Sequence, residues 1–229
     1  MPTSGRRELA IRAIDRWLSQ SYVNKELIVV DDPIDSIFSK NCQLNFPGGT
    51  LRYYRTTSVA TIGWKMNIGA RLARGQLISK MDDDDIYCEN FLSSMQRLLE
   101  LTGYSLAFAE SAYFYLRKER QVVFSGTGWR FGASLFFCRS LWERQPFRDT
   151  SRGEDQYFIE AHLHHAIALP MTDSLIVVRH GQNHTWRKIQ RVPVEDYFRP
   201  YSRDANRSPT ADSLEEILNR PAQWSAERI

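Results

Sequence analysis

The first hundred residues alternate between helical spacing of apolar side chains and short continuous apolar runs. Residues 8–19 predict a helix, because their apolar side chains recur at intervals of three and four. The run from Glu26 to Val30 predicts a strand that is buried on both faces, as in a parallel sheet. The side chains predicted on the buried face of the first helix are Ala10, Ala13, Ile14, Trp17 and Leu18.

The same alternation continues as far as Gly103. Residues 34–50 read as a loop, residues 51–54 as a short strand, and residues 64–74 as a helix stopped near Gly75. A strand then leads into four aspartates, and a third helix is predicted over 89–101 with Gly103 as its stop. Helices that alternate with strands predict an α/β sheet with right-handed crossovers.

The second half follows a different pattern. Strands are predicted over 104–115, 121–124 and 174–179, with a mixed glycine-rich and apolar stretch at 125–139. Gly153 precedes a predicted helix with Tyr157, Phe158 and Ala161 facing inward. From residue 188 onward the chain is polar, with a weak helical signal over 213–218, so 188–229 is predicted to be a peripheral, partly helical tail.

Composition narrows the class of protein. With 229 residues, 42% of them hydrophobic and 25% charged, the chain can bury a core of ordinary size. A net charge of +3 does not imply nucleic-acid binding. Three cysteines without a C-x-x-C spacing argue against disulfides or zinc and fit a reducing cytosol. No apolar run is long enough to span a bilayer, which leaves peripheral membrane association open.

The segment Asp82–Asp85 carries the strongest chemical signal. Adjacent carboxylates repel one another, and a bound cation at the end of a strand would offset that repulsion. Hard oxygen ligands suit magnesium, manganese or calcium better than zinc. The alternative is a solvated acidic turn that caps the next helix, although a cap needs one aspartate and not four.

Two further acidic pairs lie at the ends of predicted elements. Asp31 and Asp32 follow the second predicted element, and Glu154 and Asp155 open a helix. Taken alone, each pair is more typical of a structural role than of a functional one: Asp after a strand is often a turn residue, and Glu-Asp at a helix start is often favoured by the helix dipole. All three acidic clusters in this order form a much more specific pattern.

The motifs together resemble those of the family 2 glycosyltransferases over about residues 1–185. Met81–Tyr87 resembles the family's D-x-D signature with a trailing aspartate, and Gly153-Glu154-Asp155 matches its E-D motif. The other matching stretches are Pro2-Thr3 with Arg6, residues 13–32, residues 63–75 and residues 178–183. The resemblance implies a single Rossmann-like nucleotide-diphospho-sugar transferase (GT-A) fold, an α/β fold with a mixed, mostly parallel sheet flanked by helices. This domain would cover 1–187, with a nucleotide-binding half at 1–103 and an acceptor-binding half at 104–187.

The resemblance also implies roles for individual residues. Asp82 and Asp84 would hold Mn²⁺ or Mg²⁺, with His180 or His184 as a candidate third ligand, and Asp155 would be the general base positioned by Glu154. The side chains expected to contact the nucleotide are Thr3, Arg6, Asp31, Asp32, Lys65, Asp82 and Asp83. The implied activity is inverting transfer of a sugar from a nucleotide-sugar donor, most simply a UDP-sugar, to a hydroxyl of a glycan, lipid-linked sugar or protein. The implied location is the cytoplasm or the inner face of a membrane.

Two alternatives and one departure accompany this interpretation. A non-catalytic nucleotide-sugar or carbohydrate-binding module would share the fold but would have no reason to keep a base at Asp155. A metal-dependent nucleotidyltransferase would also need a carboxylate pair and a diphosphate site. The departure is that family members have a strand before the Pro2-Thr3 loop. Either the true start of the chain lies upstream of Met1, or the sheet is built without that strand and has an open position.

Overall fold

The computed structural model describes residues 1–171, 174–181, 183 and 209–221. Helices and strands alternate in the first half and strands dominate the second half, which gives a mixed α/β architecture. The strands are β1 (Pro2–Thr3), β2 (Lys25–Asp31), β3 (Cys42–Phe46), β4 (Gly49–Arg55), β5 (Leu77–Ser79), β6 (Ile86–Tyr87), β7 (Leu106–Ser111), β8 (Tyr113–Leu116), β9 (Gln121–Phe124), β10 (Phe131–Cys138), β11 (Ala166–Pro170) and β12 (Leu175–Arg179). The helices are α1 (Arg7–Leu18), α2 (Ile62–Leu72), α3 (Phe91–Thr102), α4 (Arg139–Arg144), α5 (Glu154–Ala161) and α6 (Ala211–Asn219), with a 3₁₀ turn at Leu163–His165.

The described strands form three four-stranded sheets. In the first sheet, of order β1-β2-β4-β3, the first three strands run parallel and β3 is an antiparallel edge. The second sheet has the order β11-β7-β10-β5 and the third β6-β12-β8-β9, and both mix parallel and antiparallel pairs. The carboxyl ends of β1, β2, β5 and β12 lead directly into the residues singled out in the sequence.

The first predicted helix and strand are confirmed. Helix α1 buries Ala10, Ala13, Ile14 and Trp17, which the helical spacing placed on one face. Strand β2 pairs in parallel with both of its neighbours and is buried from Leu27 to Asp31, because no face of it is left for solvent.

The start of the chain differs from expectation. Pro2 and Thr3, predicted as a loop, form a two-residue strand paired in parallel with Val30 and Asp31. Strands β2 and β5 belong to separate sheets. A cavity of about 690 Å³ lies between them, lined by side chains of both strands and of α2.

The sequence patterns missed strands β3, β6 and β11 and helix α4, and they merged β7 and β8 into one strand. The predicted loop 34–50 contains β3, a half-buried edge strand whose apolar residues alternate with polar ones. Helix α4 directly follows β10. The predicted strand 104–115 is two strands, because the chain crosses at Ala112 from the second sheet into the third.

The helix that begins after Gly153 is shorter than its apolar pattern suggested. It ends at Ala161, and the chain returns through the 3₁₀ turn to β11, which pairs in parallel with β7. Phe158 is buried as predicted, whereas Tyr157 and Ala161 are exposed. Tyr157 instead lies under the guanidinium of Arg148, 3.7 Å from its ring centre, and this cation–π contact replaces burial.

Helix α6 confirms the helical signal near residue 213, but it is not peripheral. Leu214 and Leu218 are buried against the third sheet, in a cluster with Tyr115 and Val178. Glu215 accepts a hydrogen bond from the Tyr115 hydroxyl at 2.7 Å and forms an ion pair with Arg117. None of the helices in the described ranges is both long and apolar enough to cross a bilayer.

Candidate active site

The four aspartates after β5 alternate between buried and partly exposed positions. The side chain of Asp83 is fully buried and Asp85 is buried, whereas Asp82 and Asp84 keep 26% and 12% of their side-chain surface exposed. Residues 83–85 form a bend and not a strand. Of the four aspartates, Asp82 and Asp84 are the two whose side chains keep exposed surface that a ligand could contact.

The buried members of the segment bind other parts of the chain. Asp83 accepts a 2.6 Å hydrogen bond from the Thr3 hydroxyl, which ties the end of β1 to the acidic segment. Asp85 accepts a hydrogen bond from the Val178 amide at 2.9 Å and thereby fixes the end of β12.

Asp84 has three side-chain partners for a single carboxylate oxygen. Its Oδ2 atom lies 2.8 Å from Arg6 Nη1, 3.2 Å from His180 Nε2 and 3.1 Å from Asn183 Nδ2. Arg6 also reaches Asp83 at 2.7 Å, so one guanidinium bridges two carboxylates. The structure thus brings Arg6, Asp83, Asp84 and His180 together, as predicted, whereas His184 lies outside the described residues.

The E-D pair, Glu154 and Asp155, which is expected on the acceptor side, lies in the same cluster. Glu154 is buried and Asp155 is partly exposed, both in the first turn of α5 behind Gly153, whose positive φ of 70° suits glycine. Both carboxylates approach one ammonium group: Lys80 Nζ lies 3.9 Å from Glu154 Oε1 and 3.8 Å from Asp155 Oδ2. The same nitrogen lies 3.4 Å from Asp82 Oδ2, so the D-x-D and E-D motifs meet at Lys80.

The predicted nucleotide-contacting residues of β2 and α2 have internal partners. Asp31 accepts hydrogen bonds from the Tyr53 hydroxyl and the Ile37 amide. Asp32 forms a 2.5 Å ion pair with Lys65, whose ammonium also donates to the Thr3 carbonyl. All three predicted side chains are almost fully buried, so they hold the loops around the site, and their direct contact with a nucleotide stays a prediction.

Crowded charge shifts the pKa values of the carboxylates in different directions. Burial, together with the neighbouring charge of Asp84, raises the pKa of Asp83 to about 7. Burial also raises the pKa of Glu154 to about 7, although Lys80 opposes the shift. For Asp84, burial is outweighed by the hydrogen bond from His180 and the charge of Arg6, so its pKa is lowered. Of these three carboxylates, Asp84 is therefore the one whose pKa shift favours the ionised form at neutral pH.

The donor set fits a magnesium-like ion held partly by substrate. Within the described ranges, no three His, Cys, Asp or Glu side chains form a metal-binding cluster, so Asp82, Asp84 and His180 do not make a preformed cage. Mg²⁺ and ions like it are commonly held by one or two carboxylates plus substrate phosphates. Asp82 and Asp84 supply two partly exposed carboxylates of that kind.

Three residues of this cluster were missed in the sequence. Lys80 and Asn183 contact the acidic segment, and Gly132 of β10 lies against Asp155 so closely that a Cβ there would sit 1.6 Å from Oδ2. The signal that could have pointed to Lys80 is a single basic residue two positions before a run of four acidic ones. No local pattern marks Gly132, whose partner comes from another element.

The comparison with protein families decides the class. A family model described as Glycosyl transferase family 2 matches residues 1–155. The chain belongs to glycosyl transferase family 2. The match runs from β1 to Asp155 and so spans the acidic motifs after β2 and β5 and the E-D pair at the start of α5.

A relative and several solved structures agree with this membership. WcaA of Escherichia coli K12, named as a colanic acid biosynthesis glycosyl transferase, is 40% identical over 96 residues, which are 41% of this chain and 34% of that protein. S. aureus TarS 1–349 in complex with UDP-GlcNAc has a TM-score of 0.60 at 14% identity, covering 80% of this chain and 58% of that one. The mannosyltransferase PcManGT from Pyrobaculum calidifontis, in complex with GDP-Man and Mn²⁺, has a TM-score of 0.56 at 15% identity, covering 78% and 55%.

The structural likenesses confirm the predicted GT-A fold. This family 2 chain spans about a third of the length of the E. coli relative and a little over half of the two solved chains. The comparisons give no support to a nucleotidyltransferase or to a non-catalytic binding module.

Proposed function

We propose that this family 2 chain is an inverting glycosyltransferase that moves a sugar from a nucleotide-sugar donor, in particular a UDP-sugar, to an acceptor hydroxyl. One observation carries the proposal: the D-x-D and E-D carboxylates share a single cluster, with Asp82 and Asp155 each within 4 Å of Lys80 Nζ. A donor site and a base must lie this close for one displacement reaction to use both.

The donor side is built to receive a diphosphate. Asp82 and Asp84 would hold Mn²⁺ or Mg²⁺, which when bound supplies positive charge that stabilises the departing nucleoside diphosphate. Arg6 lies 2.8 Å from Asp84 and keeps 24% of its side chain exposed, so it can contribute a further positive charge beside the phosphates. TarS and PcManGT were solved with UDP-GlcNAc and with GDP-Man and Mn²⁺, which supports a donor of this class.

The acceptor side is built to take a proton. Asp155 keeps 20% of its side chain exposed at the start of α5, where the helix dipole favours a carboxylate. In the proposed reaction Asp155 removes the proton from the acceptor hydroxyl as its oxygen bonds to the anomeric carbon. The bond from that carbon to the diphosphate oxygen breaks on the opposite face, and the configuration inverts. Glu154, buried beside Asp155, would fix the position of the base.

The proposal is tested by a thermal-shift screen of nucleotides and nucleotide sugars, each with and without Mn²⁺. We expect a uridine nucleotide or UDP-sugar to raise the unfolding temperature only when Mn²⁺ is present. The same conditions should release UDP in the presence of a hydroxyl acceptor. A protein that responds to no nucleotide in either condition would contradict the proposed function.

Replacing Gly132 by alanine is expected to lower the rate of transfer by about 100-fold, since displacing a catalytic group by about 1 Å has effects of that size. The added Cβ would lie 1.6 Å from Asp155 Oδ2 and 2.5 Å from Asp155 Cβ, so the carboxylate must move. Nucleotide binding, measured by titration calorimetry, should remain close to that of the natural protein.

Gly69→Ala is the matched control for this variant. A Cβ at Gly69, inside α2, would meet its nearest atom, Val30 Cγ2, at an ordinary 3.9 Å. That variant should be active and slightly more stable, because alanine is preferred to glycine in a helix. A Gly132→Ala protein with full activity would show that the position of Asp155 does not matter.

A further inference from the structure

Lys80 is the cation at the centre of the acidic cluster. Its side chain is 7% exposed, and its backbone amide donates a hydrogen bond to the Leu135 carbonyl, which fixes the residue between β5 and β10. Its ammonium lies within 4 Å of three carboxylates: Asp82 at 3.4 Å, Asp155 at 3.8 Å and Glu154 at 3.9 Å. No other residue joins the two acidic motifs in this way within the part of the chain that the structure describes.

The other carboxylates of the site have a different counter-charge. Arg6 forms ion pairs with Asp83 and Asp84. His180 and Asn183 lie within hydrogen-bonding distance of Asp84 as well. Among the described residues, Lys80 is the one basic side chain within 4 Å of Asp82. A divalent cation held by Asp82 would therefore meet the ammonium of Lys80 at the same carboxylate.

We propose that Lys80 is a positioning residue that competes with the divalent cation for Asp82 and pairs with Glu154 and Asp155 when the cation is bound. This inference rests on the proposed function in one respect, namely that a divalent ion uses Asp82. Two positive charges at one carboxylate repel each other, and the repulsion is strong in a site with little water. Because the three distances differ by no more than 0.5 Å, a small rotation of a flexible lysine side chain changes its partner.

The consequence is a coupling between the two halves of the reaction. While the metal is absent, Lys80 offsets the charge of Asp82 and keeps the acidic cluster compact. When metal and donor bind, the Lys80 ammonium pairs with Glu154 and Asp155 instead of Asp82. There it keeps Asp155 ionised and in one position. A purely structural counter-charge would have no such dependence on metal.

Competition with the cation and a purely structural role of Lys80 predict different effects of its removal on metal binding. If Lys80 competes with the cation, Lys80→Met should bind Mn²⁺ at least about fivefold more tightly than the natural protein, at the lower end of ordinary coupling between ligands. If Lys80 only supports the fold, the same variant should bind Mn²⁺ equally well or less well. Free Mn²⁺ measured by electron paramagnetic resonance gives the affinity without an acceptor or any turnover.

Three comparisons make the test specific. Lys80→Arg should keep the natural affinity, because it retains the charge. Lys25→Met should also leave the affinity unchanged, because the Lys25 ammonium is held by the carbonyl oxygens of Leu18, Gln20 and Tyr22 and not by carboxylates. The metal-free Lys80→Met protein should unfold at a lower temperature, and Mn²⁺ should raise that temperature by more than it does in the natural protein.

A double-mutant cycle extends the test to the acceptor side. Glu154→Gln removes one partner of the ammonium, which should strengthen its hold on Asp82 and weaken Mn²⁺ binding. In a Lys80→Met background this effect should largely vanish, whereas direct attraction between Glu154 and the ion would persist. If Lys80→Met does not fold, Lys80→Gln and the single Glu154→Gln variant provide the same comparison.

Equal Mn²⁺ affinity in the natural protein and a folded Lys80→Met variant, including no binding by either, would overturn the inference. So would an effect of Glu154→Gln that is unchanged in the double variant. Failure of the proposed function has a different signature: the metal affinities would change as described, while no nucleotide sugar binds or releases its nucleotide.

Discussion

Asp155→Asn is expected to lower the rate of sugar transfer by about 10²- to 10⁴-fold, the usual contribution of a general base. Asparagine has nearly the same shape, so it fits beside Gly132 and Lys80, but its amide cannot take the proton of an acceptor hydroxyl. UDP binding at saturating Mn²⁺ should change little, because the bridge between Arg6 and Asp84 is untouched and excess metal offsets any stronger pairing of Lys80 with Asp82. The measurements are initial rates of UDP release and calorimetric titration with UDP.

Glu160→Gln is the matched control in the same helix. Glu160 has an exposed side chain and forms an ion pair with Arg130 at 3.6 Å. Exposed ion pairs of this kind contribute little to stability. The replacement of Glu160 should leave both rate and binding unchanged. If Asp155→Asn lost nucleotide binding and transfer to the same degree while folded, the base would have to be sought elsewhere.

The second large effect is expected at Asp84. Asp84→Asn should weaken Mn²⁺-dependent UDP binding by at least about 100-fold, since losing even an outer-shell partner of a metal ligand costs 10- to 100-fold. The lowered pKa of Asp84 keeps it ionised at neutral pH, and the substitution removes that charge from a partly exposed position. The affinity for UDP with and without Mn²⁺ gives the metal-dependent part directly.

Asp212→Asn is a suitable control for this loss of a carboxylate. Asp212 lies in α6, 91% exposed, and pairs only with Arg120 among the described residues. The control should bind UDP like the natural protein. Unchanged Mn²⁺-dependent binding in a folded Asp84→Asn protein would remove Asp84 from the metal ligands.

Local pattern predicted the first half of the fold well. The helical spacing in α1 and the continuous apolar run of β2 are signals that span only a few neighbouring residues, and packing reinforced both. The E-D pair at the start of α5 was likewise readable, because a glycine followed by two acidic residues favours a helix start. These elements could be predicted without knowing which other helices or strands they pack against.

The second half was harder for a physical reason. The stretch 104–115 divides between two sheets at Ala112. Glu110 and Ser111 lie just before that point, but one or two polar residues within an apolar run are also found inside single strands, so they did not mark a break. Helix α6 carries a polar sequence with two leucines, and only the third sheet decides that these are core positions. Edge strands such as β3 depend on one neighbour, so their pattern is weak.

By itself, the sequence determined the family motifs, the three acidic clusters and the elements that carry them, because spacing along the chain encodes helix and strand directly. Tertiary structure alone decided which carboxylates face outward and which ammonium they share. Asp84 and His180 are 96 positions apart, and Asp155 meets both Lys80 and Gly132 only after α5, β5 and β10 have packed together. Charge compensation among buried groups depends on distances of a few ångströms, and such distances exist only in the folded chain.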